Sequence, residues 1–235
     1  PNNYTAKVTG TLREWMLVNN AANLQAINTN LSGNYALGRN VDASSIPSFV
    51  PLGNTTTNFT GQFDGLGHTV SNLSIPTPAV SQVGLFGVIG AAGTVKDLGL
   101  TSVAIQGNSS VGALAGINFG TIFNTYVSGG TVQGGNGAVG GLVGINQGGD
   151  GTAAVGVTPG TAGSNASISN SYAENVAVSV TAAVAPALGG LVGINRGGAG
   201  GAGGGSSVSA PGGVGCAGGA AIITNSYVSG GSVFG

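Results

Sequence analysis

Charge is what this chain lacks most. Five Lys and Arg face six Asp and Glu in 235 residues, so charged residues make up 5%, against roughly 25% in an ordinary soluble domain. The net charge of −1, with no run of like sign, gives neither nucleic acid nor an anionic membrane a patch to hold. The single Cys216 excludes a disulfide framework within the chain and reads as an unpaired thiol in a Gly/Ala stretch. The single His68 leaves no histidine cluster for metal chemistry, and no cofactor or metal is expected. Proline is scarce at 8 residues, and the 48 glycines do not fall at every third position along the chain, which excludes collagen. The chain begins at Pro1 without an apolar leader, which reads as a mature or trimmed segment.

The charge-free run of 21 residues between Glu174 and Arg196 has the length of a membrane span. Val176, Val178 and Val180 alternate within it, and Pro186, Gly189 and Gly190 follow, so strand, turn and strand are expected and no membrane span.

What is present is repetition. GGLVGIN occurs at residues 140–146 and again at 189–195, with GALAGIN at 112–118 and VGLFGVI at 83–89; their leucines, Leu85, Leu114, Leu142 and Leu191, lie 29, 28 and 49 residues apart. A second string, TIFNTYV, SISNSYA and IITNSYV, keeps the same beat, with shorter versions TVSNLSI and TVKDLGL before it. Aligned on Val70, Val95, Ile122, Ile168 and Ile223, these place Asn72, Asp97, Asn124, Asn170 and Asn225 at one position. Asn118, Asn146 and Asn195 share a second position, and Tyr126, Tyr172 and Tyr227 a third. The long steps contain Gly/Ala/Ser-rich insertions at about 148–165 and 197–220, and removing them restores the beat.

A repeat of about 27 residues with three strand-like pieces, such as TIFNTYV, TVQG and AVGGLVGIN, is one coil of a solenoid. The expected fold is all-β: a right-handed three-sided parallel β-helix over residues 34–235, its hand following from the usual chirality of parallel crossovers. Residues 1–33 read as a separate lead-in that starts or covers the coils. It holds a strand and a short helix from about Ala21 to Asn28, capped by Asn20, with Leu24 and Ile27 turned to the core. Inward Val, Ile and Leu stack on their counterparts one coil away. The Asn columns read as hydrogen-bond ladders or corner caps, with a polar binding strip as the functional alternative. The Tyr column reads as an aromatic stack rather than a ligand platform.

The order YALGRNVDAS, FVPLG, FTGQFDGLGHTVSNLSI, VGLFG, GTVKDLGL and then repeated GGLVGIN with NSYV resembles the GLUG-motif repeats of filamentous-haemagglutinin-like proteins. The likeness runs from about Leu12 to the end. Such repeats occur in large secreted bacterial proteins, often two-partner-secretion adhesins, and in some surface proteases outside their catalytic part. The resemblance implies a secreted or cell-surface shaft whose partner is a host-cell or surface receptor, glycan or protein. The secretion domain usual at such an N-terminus is not recognisable, and the Gly/Ala inserts are long.

Three rival functions weigh less. A polysaccharide hydrolase needs two carboxylates facing one cleft; Asp64 here begins a D-G turn, Asp97 occupies the Asn position, and His68 reads as a turn residue rather than the partner of Asp64. A phosphate loop needs Gly-Lys-Ser/Thr before a helix, and GGLVGIN has no Lys. The last repeat, NSYVSGGSVFG, stops partway through a coil, so a head-to-tail filament joined by end-to-end stacking is the alternative to an adhesin segment. No catalysis is expected.

Overall fold

Short runs with Val, Ile, Leu or Phe at alternate positions bury one face and leave polar or small residues on the other, which suits strands. The computed structural model describes residues 14–155, 158–181, 186–202 and 214–235. It is built almost wholly of strands, with one short helix, Ala21–Ala26, and a 3-10 turn, Ile27–Thr29. The side chain of Asn20 caps the helix by accepting the Asn23 N–H at 2.8 Å, and Leu24 and Ile27 are fully buried.

The strands lie in four stacks. The first runs from Met16–Val18 and Asn34–Leu37 through Gln62–Asp64, Thr94–Lys96, Thr121–Phe123 and Ala166–Ser169 to Ala221–Thr224. The second runs from Val41–Asp42 and Thr69–Ser71 through Gly99–Gln106, Tyr126–Gly134 and Tyr172–Val180 to Tyr227–Ser229, with Ser74–Pro76 and Ser232–Phe234 alongside. The third holds Gln82–Val83, Ser110–Gly112, Ala138–Gly140 and Leu188–Gly189, and the fourth Phe86–Ile89, Ala115–Asn118, Val143–Gln147 and Val192–Arg196.

From Thr94 onward the chain visits the stacks in order, first, second, third, fourth, and then returns to the first. Every pair between named strands is parallel. Among the described residues the single antiparallel contact is the Val155–Thr158 bridge in the first excursion. Like residues therefore meet across coils: Val95, Ile122, Ile168 and Ile223 are consecutive partners, and the first three are fully buried. Each such side chain contributes roughly 1.5–3 kcal/mol of apolar burial. Phe59 and Phe63 pack on Phe86 in the early coils, with ring centroids 4.8 Å and 5.7 Å from it.

Two expectations need correction. TIFNTYV is not one strand: it breaks at Asn124, whose φ is +49°, and Tyr126–Gly134 continues as a single nine-residue strand. AVGGLVGIN likewise divides into Ala138–Gly140 and Val143–Gln147. Each coil thus carries four strand segments, not three pieces. Secondly, Asn72 does not share a column with Asp97. Val70 pairs with Val41 and Leu100 in the second stack, whereas Val95 pairs with Phe63 and Ile122 in the first. Asn72 is level with Ser102, Gly129, Asn175 and Gly230, all at positive φ. Asp97, Asn124, Asn170 and Asn225 form the other left-handed column, with φ between +48° and +53°. Both bends ask for the same residue, because Asn and Asp tolerate left-handed backbone. The two bends therefore look alike in sequence.

The coil spacing leaves no room for side chains at some corners. A methyl on Gly140 would meet the Gly193 amide at 2.7 Å and the Leu191 carbonyl at 2.8 Å. At Gly129, with φ +72°, nothing lies within 4 Å. Gly140→Ala is therefore expected to cost about 3 kcal/mol by overpacking, and Gly129→Ala about 1 kcal/mol by backbone strain. Urea unfolding midpoints of the two variants check the order; equal losses would contradict it.

Candidate functional site

Polar side chains in this chain are arranged in columns along the stacking direction. In the fourth stack, Asn118 pairs in register with Asn146 and Asn146 with Asn195, while Ile89 takes the position one coil earlier. Asn118 Nδ2 donates to Asn146 Oδ1 at 2.8 Å, and Asn146 Nδ2 to Asn195 Oδ1 at 2.8 Å. Asn118 and Asn146 are wholly buried. The ends are closed by main chain: the Gly120 N–H donates to Asn118 Oδ1 at 3.1 Å, and Asn195 Nδ2 donates to the Ala221 carbonyl at 3.2 Å. A buried amide must find such partners, so Asn118 and Asn146 are spent on a hydrogen-bonded ladder whose last member, Asn195, is exposed.

The Asp97 column works differently. Asn124 Nδ2 donates to Asp97 Oδ1 at 2.7 Å. Asn170 and Asn225 share only the left-handed backbone with them. Lys96 reaches both Asp64 and Asp97, and Asp64 also accepts the Leu66 N–H at 2.8 Å. The Asn124 hydrogen bond, aided by Lys96, holds the Asp97 carboxyl below its ordinary range, and the Asp64 bond raises the Lys96 ammonium. Asn72 donates instead to Asp42, at 3.0 Å, and this bond lowers the Asp42 carboxyl. His68 does not meet Asp64; its Nδ1 lies 3.2 Å from Asn40 Oδ1. Two carboxylates bridged by one lysine hold a bend together. Among the described residues no group of three or more His, Cys, Asp or Glu could hold a metal.

Tyr126, Tyr172 and Tyr227 are register partners in the second stack. Their ring centroids lie 5.0 Å apart at interplanar angles of 5° and 7°. Tyr126 lies over Gly99, where any Cβ would strike its ring. Burial, followed by Tyr126, Tyr227 and Glu174, raises the Tyr172 phenol. Ring faces are spent within the column except at its end, where Tyr227 is exposed.

Sequence reasoning missed a fourth column. Thr125 N–H donates to Ser171 Oγ and Ser171 N–H to Ser226 Oγ, both at 3.2 Å. Each hydroxyl donates in turn to the carbonyl two residues back, on Phe123, Ser169 and Thr224. The recurring N-T-Y and N-S-Y were its signal.

Two surface grooves lie among the described residues. One, of about 360 Å³, is lined by Phe49, Val50, Pro51, Thr77, Val80 and Gln82 among others. The other, of about 210 Å³, lies between Met16–Val18 and the helix. Neither is lined by an acid, His or Lys.

Residues 17–129 match the family described as the M26 IgA1-specific metallo-endopeptidase N-terminal region. Halomucin of Haloquadratum walsbyi is 38% identical over 129 residues, covering 50% of this chain and 1% of halomucin. A protein of Evansella cellulosilytica described as a Gly-rich membrane protein is 32% identical over 128 residues, covering 50% of this chain and 15% of that protein. The chain thus spans a small fraction of these relatives. A solved structure described as an immunoglobulin A1 protease from Bacteroides ovatus superposes over 92% of this chain and 75% of its own, with a TM-score of 0.48 and 17% identity. Among the described residues no helix is long and apolar enough to cross a membrane.

Asn146→Ala removes the middle of the buried ladder and is expected to cost about 2–3 kcal/mol. Asn195→Ala, at the exposed end, should cost under half of that in the same denaturation series; equal losses would contradict a ladder. Asp97 has a folded pKa below its unfolded value. Its stabilisation is therefore present above about pH 4 and lost as pH falls through the lower folded pKa. Asp97→Asn should lower the thermal midpoint at neutral pH, with the gap to wild type closing in acid.

Proposed function

We propose that this chain is a stretch of right-handed, three-sided parallel β-helix in an exported, surface-displayed or secreted protein. Its role is structural or adhesive, and it carries out no chemistry of its own. The observation that carries the reading is the parallel register repeated in all four stacks, each return of the chain falling beside the last. The third and fourth stacks are separated by joints as short as Ala113–Leu114 and Gly141–Leu142; taken as one bent face, they leave three faces. The right hand is the usual one for parallel crossovers.

Export and display rest on the neighbours. The matched family is described as an N-terminal region of endopeptidases, and one relative is described as a membrane protein. The same placement follows from the GLUG-like motif order. A sparsely charged exterior built from self-complementary columns suits a rigid spacer, with the receptor, glycan or protein, engaged at its exposed columns or excursions.

Beads coated with the purified chain should adhere to a subset of host-cell surfaces or arrayed glycans, and protease added to intact cells of the source organism should cleave the full-length protein. Protection from that protease until the cells are lysed would overturn display. Failure of the beads on every surface would overturn adhesion by this segment.

A further inference from the structure

The two glycine-rich excursions leave the stacks after register partners, Val143–Gln147 and Val192–Arg196, and return into another such pair, Ala166–Ser169 and Ala221–Thr224. Between them, Ala166–Ser169, Tyr172–Val180, Leu188–Gly189 and Val192–Arg196 make up one coil. The described arms, 148–155 and 158–165 of the first excursion and 197–202 and 214–220 of the second, bond through main chain in steps of three residues. A period of three belongs to the polyproline II helix, not to a strand or an α-helix.

Within the first excursion, the Gly149, Thr152 and Val155 N–H groups donate to the Ser164, Thr161 and Thr158 carbonyls; within the second, Gly198 and Gly201 donate to Gly219 and Cys216. Other bonds cross from one excursion to the other. Gly151 and Ala154 donate to Ala199 and Ala202, Gly160 and Gly163 to Val214 and Ala217, and Gly219 to Gly149. Two side chains add to them: Asp150 Oδ1 accepts the Ala199 N–H and Asn165 Oδ1 the Ala220 N–H, both at 2.8 Å. The four arms close a ring, and its order matters. Arms 158–165 and 197–202, the two attached to the intervening coil, sit opposite each other. Each is bonded to arm 148–155, which comes from the coil before, and to arm 214–220, which enters the coil after.

Neither excursion has the means to order itself. Among the described residues no arm gives a side chain to the hydrophobic core, and Val155 and Val214 are exposed. Glycine-rich chain also loses the most conformational freedom when it is fixed. An excursion alone would keep only its internal bonds, whose net worth in water is too small to offset that loss. The close contacts cross between excursions as well: a methyl on Gly198 would run into the Gly149 carbonyl, and one on Gly201 into that of Thr152.

We propose that the two excursions are a strap: a four-arm bundle that forms only when its coils are in register, and that then locks the intervening coil to the coils on either side. The core is thinner at that coil. Leu188, Leu191 and Val192 are half-buried, whereas their counterparts one coil earlier, Val139, Leu142 and Val143, are fully buried. Lifting the coil away requires both of its arms to part from both neighbours, so the strap opposes fraying that would otherwise pass from coil to coil. It presupposes the parallel shaft and adds to it a link made outside the stacks.

Amide hydrogen exchange of the full chain tests it, with Gly99–Gln106 as the reference for the shaft. In wild type, the Gly149, Thr152, Gly163 and Gly201 amides should exchange roughly tenfold or more below the rate of an unstructured chain. The double variant Gly198→Ala, Gly201→Ala changes only the second excursion, yet it should strip protection from the Thr152 N–H, which bonds inside the first. It should also speed exchange in Tyr172–Val180 by about tenfold and leave Gly99–Gln106 unchanged. Gly200→Ala, where a methyl would meet nothing closer than 3.4 Å, should alter none of these. If the double variant fails to fold, Asp150→Ala, which removes an acceptor in the first excursion, should speed exchange of Gly198 and Gly201 in the second. Excursion amides that exchange freely in wild type beside a protected Gly99–Gln106 would overturn the strap and leave the shaft standing. Thr152 protection that survives the double variant, an unmoved Tyr172–Val180, or an Asp150→Ala chain with unchanged Gly198 and Gly201 would overturn it too.

Discussion

Each coil is held to the next by parallel main-chain hydrogen bonds in fixed register, and this constraint dictates which side chains the chain can use. In such a stack a side chain meets the residue one coil away, as in Tyr126 on Tyr172 or Ile145 on Ile194. A column of like charges would repel itself at every step. The few charges present are therefore placed beside something else. Asp64 is level with Lys96; Arg196 is level with Gln147, to which it donates at 2.7 Å; and Glu174 lies between Ser128 and Ser229. The scarcity of charge is thus a consequence of the architecture.

Polar residues that do stack follow one of three solutions. Buried amides hydrogen-bond to one another, as in Asn118–Asn146–Asn195. Hydroxyls link a carbonyl of their own coil to an amide of the neighbour, as at Ser171. Left-handed bends use Asn or Asp chiefly for backbone conformation, with side-chain bonding secondary, as at Asn170. All three serve the main chain first, and among the described residues the one convergence of charge, Lys96 with Asp64 and Asp97, lies at a bend.

Much of this was legible from particular residues. The Leu85, Leu114 and Leu142 copies counted coils because inward leucines are interchangeable between them. Asn20 was readable as a helix cap from its position before an apolar-periodic run. The bends were harder. Asn72 and Asp97 sit in the same local string, T-V-x-N/D-L, yet at different bends, because local sequence encodes a left-handed residue and an inward leucine but not the stack they belong to. The division of each coil into four segments was hidden for a similar reason: Tyr126–Gly134 carries its positive-φ glycines inside a continuous strand.

The central claim is that successive coils pair in parallel at the stated register, and engineered disulfides read it directly. In a Cys216→Ser background, Ser169→Cys with Thr224→Cys joins register partners on adjacent coils, a Cα separation within the roughly 4.4–6.8 Å a disulfide spans. Ser169→Cys with Ile222→Cys offsets the pair by two residues along the strand, because Ile222 is the partner of Ser167. Under mild oxidation of dilute protein, the first pair should close nearly completely within one chain, seen by electrophoresis and peptide mapping, and the second should stay reduced. Equal closure of both pairs, or preferential closure of the offset pair, would contradict the register on which this account rests.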